Sequence, residues 1–174
     1  AGGIGVIRIS GDDAIAVADK AFTATSGKTL STLKGYTAAH GRVHLDGEDI
    51  DEGVALVFRA PKSYTGEDTV EISCHGGVFV TNQVLRAVLS AGARPAEAGE
   101  FTKRAYLNGR MSLSDAEGVA DMIHAESTAG IRAAYRMMQG GVADKVNVIM
   151  DDLLTVLATL EASLDYPDEM EDEI

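Results

Sequence analysis

A single cysteine, no tryptophan, three prolines and only 5% aromatic residues set the limits of this 174-residue chain. Cys74 has no second cysteine to pair with, which excludes a disulfide-stapled fold and fits a reducing compartment. With so few aromatic rings, a core must rest on aliphatic side chains. The low proline count and the lack of any compositionally biased stretch argue against a disordered or fibrous chain. No apolar run approaches the roughly 18–20 residues of a membrane helix, so a cytosolic protein is expected. What remains is 45% hydrophobic and 24% charged, ordinary for a globular domain or two small ones.

Charge is unevenly spread. Residues 1–110 hold 12 Lys/Arg and 13 Asp/Glu, whereas residues 111–174 hold 3 and 14, so nearly all of the net −12 falls in the last third. Such an acidic segment gains nothing from counterion release on a phosphate backbone, and little nucleic-acid binding is expected of it. The switch near residue 110 also suggests a domain boundary. Ala1-Gly2-Gly3 leads straight into an apolar run, and Asp165 to Ile174 carry six acids, so the chain reads as a piece of something longer.

The first hundred residues alternate strand and helix signals. Ile4 to Ile9 is a β-branched run closed by Ser10-Gly11. Asp12 is placed to cap a helix in which Ala14, Ile15, Ala18, Ala21 and Phe22 share a face, with Ser26-Gly27 as its end. Tyr36 to Leu45 and Val54 to Phe58 read as strands, with Asp46-Gly47 as a hairpin turn between them. A turn-rich loop, Pro61 to Gly66, leads to a strand at Thr69 to His75. Gly76-Gly77 then opens a helix through Leu89, with Gly92 as its C′ residue. Hairpins and βα units together predict mixed strand pairing. After Gly109 the pattern is helical. Ser112 to Asp115 has capping-box spacing, and Ala116, Val119, Ala120 and Ile123 share a face. A longer helix carries Val142, Val146, Ile149, Leu153, Val156, Leu160 and Leu164 as a seam, with Gly140-Gly141 a possible kink and Pro167 its end. The seam has too little within this chain to pack against.

Several familiar chemistries fail on spacing. Ser26-Gly27-Lys28-Thr29 ends like a P-loop, but Phe22 stands where a P-loop needs Gly, and a helix C-cap suits it better. Gly2-Gly3-Ile4-Gly5 precedes a strand, the wrong side for a dinucleotide fingerprint. His40 and His44 in a strand would lie roughly 13 Å apart, too far to share a metal ion. Cys74 and His75 leave opposite faces of a strand, and nothing supplies an orienting third group for a nucleophile. Glu71 is more informative. Strand alternation sets it with Ser73 and His75, opposite Val70, Ile72 and Cys74. A carboxylate midway along a core strand must be solvated, paired or bound to a ligand. It could accept two parallel hydrogen bonds from a pterin-like or guanine-like edge. It could equally pair with Arg8, which occupies an analogous place in its own strand.

Specific motifs then converge. Pro61-Lys62-Ser63-Tyr64-Thr65-Gly66-Glu67-Asp68 is followed by Glu71 and His75-Gly76-Gly77. Gly2 to Gly11, Gly99 to Arg110 and Asp165-Tyr166-Pro167-Asp168-Glu169 complete the set. In order and content the chain resembles the N-terminal part of the tRNA modification GTPases of the MnmE (TrmE) family.

That resemblance implies an α+β, mixed α/β domain over residues 1–109, similar to the folate-binding domain of the glycine-cleavage T protein. Residues 110–174 would be the first part of a helical domain. The GTPase domain, the tail with the family's functional cysteine and a strand upstream of Ala1 would lie outside this sequence, so Cys74 is not given that cysteine's role. It further implies homodimerisation and a bound tetrahydrofolate derivative, 5-formyl or 5,10-methylene. The whole enzyme would work with the FAD protein MnmG on the wobble uridine (U34) of certain tRNAs, installing an aminomethyl-type group at C5. GTP, Mg²⁺ and K⁺ would belong to the GTPase domain. Three folate contacts carry over by motif: Arg8, Glu71 gripping the pterin edge, and Arg110, where relatives usually have Lys. No catalytic or metal residue carries over. Ala98, Ser112 and Gly118 also depart from the family pattern, and Gly118 should cost its helix roughly 0.8–1 kcal/mol relative to Ala. Two rival readings are a stand-alone aminomethyltransferase of the T-protein type and a pure dimerisation scaffold.

Overall fold

The computed structural model describes residues 2–139 and 143–165. The chain divides into two compact units, Ala1–Met111 and Ser112–Ile174.

The first unit is built on one five-stranded sheet. Its elements are β1 (Ile4–Ser10), α1 (Ala14–Ala21), β2 (Phe22–Ala24), β3 (Thr37–Leu45), β4 (Glu48–Phe58), β5 (Thr69–His75), α2 (Val78–Ser90) and α3 (Glu100–Leu107), with a 3-10 turn at Leu30–Thr32. The strand order is β1-β5-β4-β3-β2, and every neighbouring pair is antiparallel. The fold is thus the expected mixture of helices and sheet, but the expected mixed strand pairing is corrected. The reason is connectivity: α1 leads into β2, which lies across the sheet from β1 rather than beside it.

Alternation gives the sheet two unlike faces. Ile9, Val43, Ala55, Val57, Val70, Ile72 and Cys74 are buried together with Ala14, Ile15 and Ala18 of α1 and Val84, Ala87 and Val88 of α2. The other face carries Val6, Arg8, Val54 and Glu71, none of them fully buried. Asp46 and Gly47 both have positive φ (53° and 85°), the signature of a type I′ hairpin turn. After α2, Gly92 N–H and Ala93 N–H bond the carbonyls of Leu89 and Val88, the expected Schellman ending.

Other expectations shift. The residue capping α1 is Asp13, without a side-chain hydrogen bond, because Asp12 is taken up in the Gly11 turn out of β1. The helix ends at Ala21, not at Ser26-Gly27. Phe22 crosses into β2 opposite Val43, seated in the space that the missing side chain of Gly41 leaves. Ser26-Gly27 is therefore a turn after a strand, not a helix cap. β4 begins at Glu48, six residues before the expected strand, because the tight hairpin lets pairing with β3 start at once. Helix α3 was not anticipated.

The second unit comprises α4 (Leu113–His124), α5 (Thr128–Met138) and α6 (Ala143–Asp165). The Ser112–Asp115 capping box forms with both reciprocal hydrogen bonds, at 3.1 and 2.8 Å. The packed face of α4 runs through Gly118 rather than Ile123, which is exposed, because α4 packs closely on α5, a helix the pattern did not reveal. On α6 the seam from Val146 to Leu164 is exposed as expected. Gly140-Gly141, Val142 and Tyr166 to Glu169 lie outside the described residues.

Candidate functional site

Antiparallel register sets Arg8 of β1 directly opposite Glu71 of β5, and Glu71 in turn opposite Leu56 of β4. Residues opposite one another share a face, so the two charges meet on the open side of the sheet. Arg8 Nε–H donates to Glu71 Oε1 at 2.7 Å, and Nη2 reaches the same oxygen at 2.6 Å. Among the described residues, Oε2 accepts no hydrogen bond. Both side chains keep contact with solvent, at 37% and 23% exposure. The guanidinium carbon also lies 5.2 Å from the ring centre of Tyr64 and 5.6 Å from that of Phe101, within range for cation–π attraction.

The turn-rich loop after β4 brings Tyr64 there, and α3 brings Phe101. Ala60–Pro61 is cis. Asp68 accepts from Ala60 N–H at 2.8 Å and pairs with Arg59, closing the base of the loop. Asn108 donates its side-chain amide to the Thr65 carbonyl at 2.8 Å, and the hydroxyls of Tyr64 and Thr102 are 2.9 Å apart. The loop is therefore stitched to α3 along its length. The end of α3 is itself rigid: with Gly109 at φ 68°, Gly109 N–H and Arg110 N–H close a Schellman motif on Tyr106 and Ala105.

That motif fixes the backbone of Arg110. Its Nε–H donates to the Ser63 carbonyl at 3.1 Å, next to the ring that Arg8 faces. Of the three residues expected in one site, the structure joins Arg8 and Glu71 directly. Arg110 is attached to the same loop, and among the described residues no hydrogen bond or ion pair links it to either of them.

A cleft of about 500 Å³ opens beside β1. It shares Arg8 and Phe101 with this site and is bounded further by Arg94, Glu100 and Arg104, while Glu71 and Arg110 lie outside its lining. Its wall is an ionic network. Glu100 takes hydrogen bonds from Arg94, from Glu97 N–H at 2.8 Å and from Arg104. The Arg94 guanidinium above all, then the Glu97 amide, hold its carboxyl down to about 2. Arg104 donates on to Glu67, which raises the already high affinity of that guanidinium for its proton. Glu67 also accepts from Ser10 Oγ at 2.8 Å. Tyr64, Phe101 and this network escape a motif search for charged ligand contacts. The available signal was rarity, since four of only nine aromatic residues (Tyr64, Phe101, Tyr106 and Tyr166) fall inside the quoted motifs.

The remaining polar residues go elsewhere. Cys74 is buried with its thiol on the Gly5 carbonyl, and burial pushes that thiol up, which suits packing rather than nucleophilic attack. His44 pairs with Asp49, and His40 meets Thr25. His75 clasps Asp51 through its backbone N–H (2.9 Å) and its Nδ1 (2.6 Å). Among the described residues no group of three or more His, Cys, Asp or Glu side chains is placed to hold a metal ion, and no helix is long and apolar enough to cross a membrane.

Comparison with known proteins accounts for both units. A family model described as the GTP-binding protein TrmE N-terminus matches residues 1–110, and one for the MnmE helical domain matches residues 113–174. Relatives named tRNA modification GTPase MnmE include those of Carboxydothermus hydrogenoformans (45% identical over 99% of this chain) and Lachnoclostridium phytofermentans (47% over 97%). A third, from Symbiobacterium thermophilum, is 47% identical over 99% of the chain. The chain spans only 37–38% of the length of these relatives.

Proposed function

The chain belongs to the MnmE (TrmE) family of tRNA modification GTPases, and from that premise we propose that it is the folate-binding, homodimerising part of such an enzyme. Residues 1–109 would form the folate-binding and dimerisation domain, and residues 110–174 the first part of the helical domain. The whole enzyme would modify the wobble uridine of certain tRNAs in the cytoplasm with MnmG as partner, GTP, Mg²⁺ and K⁺ acting in its GTPase domain.

One observation carries the folate reading: a carboxylate and a guanidinium, both open to solvent, meet beside two aromatic rings within the motifs that define the family. Those groups fit a reduced pterin. Glu71 offers two oxygens to an edge that presents an N–H and an NH₂ side by side, and the rings of Tyr64 and Phe101 offer apolar faces to a flat heterocycle. Arg110, its Nε anchored on Ser63, would present its remaining N–H groups to an anionic part of the ligand. A bound tetrahydrofolate would supply the one-carbon unit, and this chain's residues would hold and orient it.

Isothermal titration with 5-formyl-tetrahydrofolate tests the reading. Glu71→Ala should weaken binding by at least about tenfold, because a charge-assisted hydrogen bond contributes about 1.5–3 kcal/mol. Equal heats for the two proteins would remove Glu71 from the site. A second reading, a dimerisation scaffold without ligand, draws on the fact that Arg8 already pairs with Glu71 through one carboxylate oxygen. Light scattering alongside the titration separates them, since a dimer indifferent to folate is the scaffold's signature.

A further inference from the structure

The Arg8 side chain ends in the same chemical fragment that a pterin presents along its 2-amino edge. Each is a planar guanidine-type group offering adjacent N–H donors to a carboxylate. In this structure that fragment is already in place: Nε and Nη2 of Arg8 are on Glu71 Oε1, with Tyr64 and Phe101 5.2 and 5.6 Å away. A two-point fork from a ligand needs both carboxylate oxygens, and Arg8 holds one of them. We propose that the Arg8 guanidinium is a built-in placeholder for the pterin edge, that Tyr64 and Phe101 are the walls of that seat, and that ligand entry proceeds by exchange of Arg8 off Glu71. This rests on the folate reading above and goes beyond it by stating what the ligand must displace and which uncharged residues receive it.

The exchange is physically cheap. Both members of the Arg8–Glu71 pair keep contact with water, at 37% and 23% exposure, and solvated ion pairs contribute little net stability. The released guanidinium keeps its charge beside the ligand, where it can meet the carboxylates of a folate tail. Arg8 thus opposes the headgroup and favours the tail. Its removal should therefore act with opposite sign on a tail-less pterin and on a complete folate, which a fixed contact cannot produce.

The experiment titrates this chain with 6-methyltetrahydropterin, which has no tail, and with 5-formyl-tetrahydrofolate. Arg8→Met should bind the tail-less pterin about two- to fivefold more tightly than the wild type, as expected from loss of an exposed ion pair, and should bind the complete folate no more tightly. Tyr64→Leu should weaken both ligands by about two- to tenfold, with Tyr64→Phe restoring them. A readout that needs no variant is the ¹⁵N–¹H signal of Arg8 Nε, which should move on saturation with the tail-less pterin. Weaker pterin binding by Arg8→Met, unchanged binding by Tyr64→Leu, or an Nε signal that does not respond would each overturn the placeholder while leaving the folate reading intact. A wild type that binds neither ligand would overturn both.

Discussion

Single residues in this chain are set by their partners more than by their type. Glu100 and Glu71 are both acidic and both touch arginine, yet only Glu100 accepts from two guanidinium groups and a backbone amide together. Its carboxyl is held down to about 2 from a usual value of 4.5. A depressed carboxylate adds stability that is fully present above its unfolded value and lost as pH falls through the folded one. Glu100→Gln should therefore lower the thermal midpoint near neutrality and cease to matter as pH approaches 2, measured by circular dichroism between pH 2 and 7. His75 behaves with the opposite sign. The hydrogen bond and charge of Asp51 raise its affinity for a proton above the ordinary 6.5. At Asp51, burial pushes the carboxyl up, but the bonds from His75 outweigh it and leave it low. The clasp should be strongest below about pH 6.5 and above the carboxylate range, and should weaken as pH rises through the raised histidine value. A His75→Gln variant should lose thermal stability relative to the wild type at pH 5.5 and approach it at pH 9; a constant gap would refute the clasp.

Elements show where local signals sufficed. The Asp46-Gly47 turn, the Ser112–Asp115 capping box and the Gly92 ending of α2 form as their residues dictate, because each is decided within a few residues of chain. The end of α1 was not legible, since a helical spacing at Phe22 looks the same whether the ring packs from a helix or from β2. Gly118 shows the limit most sharply. Helix propensity alone makes Ala the better residue there by roughly 0.8–1 kcal/mol. In the structure, a Cβ at position 118 would stand 3.0 Å from the Ala134 carbonyl oxygen and 2.8 Å from Met138 Cγ. The methionine end can move, but the backbone of α5 resists. Overpacking of this kind costs about 1–3 kcal/mol. Gly118→Ala should thus destabilise the α4–α5 pair by about 1 kcal/mol net, measured by urea unfolding followed at 222 nm; a gain in stability would show that α5 yields.

At the scale of the whole molecule, charge and exposed apolar surface pull against each other. Residues 111–174 hold 14 acids against 3 bases, and their α6 exposes Val146, Ile149, Leu153, Val156, Leu160 and Leu164. Repulsion among the acids opposes close association of that surface and is screened within about 8 Å at physiological salt. Raising sodium chloride from 20 to 500 mM should therefore raise both the helical thermal midpoint and the mass found by light scattering. A fall in both would place the dominant electrostatics in attractive ion pairs instead.

The sequence by itself determined the class of fold, the strand faces, the Asp46-Gly47 turn, the Ser112 and Gly92 helix ends, and the motifs that identify the family, because all of these are written in short-range spacing and residue type. It also brought Arg8 and Glu71 forward, as charges midway along apolar strands. Only the tertiary structure decided that antiparallel register sets those two opposite each other, that Tyr64 and Phe101 close on Arg8 from a loop and a helix 37 residues apart in sequence, and that Arg110 joins the loop through Ser63. Register, close helix approach and ionic networks depend on contacts between segments distant along the chain, and no local pattern records which segment will arrive.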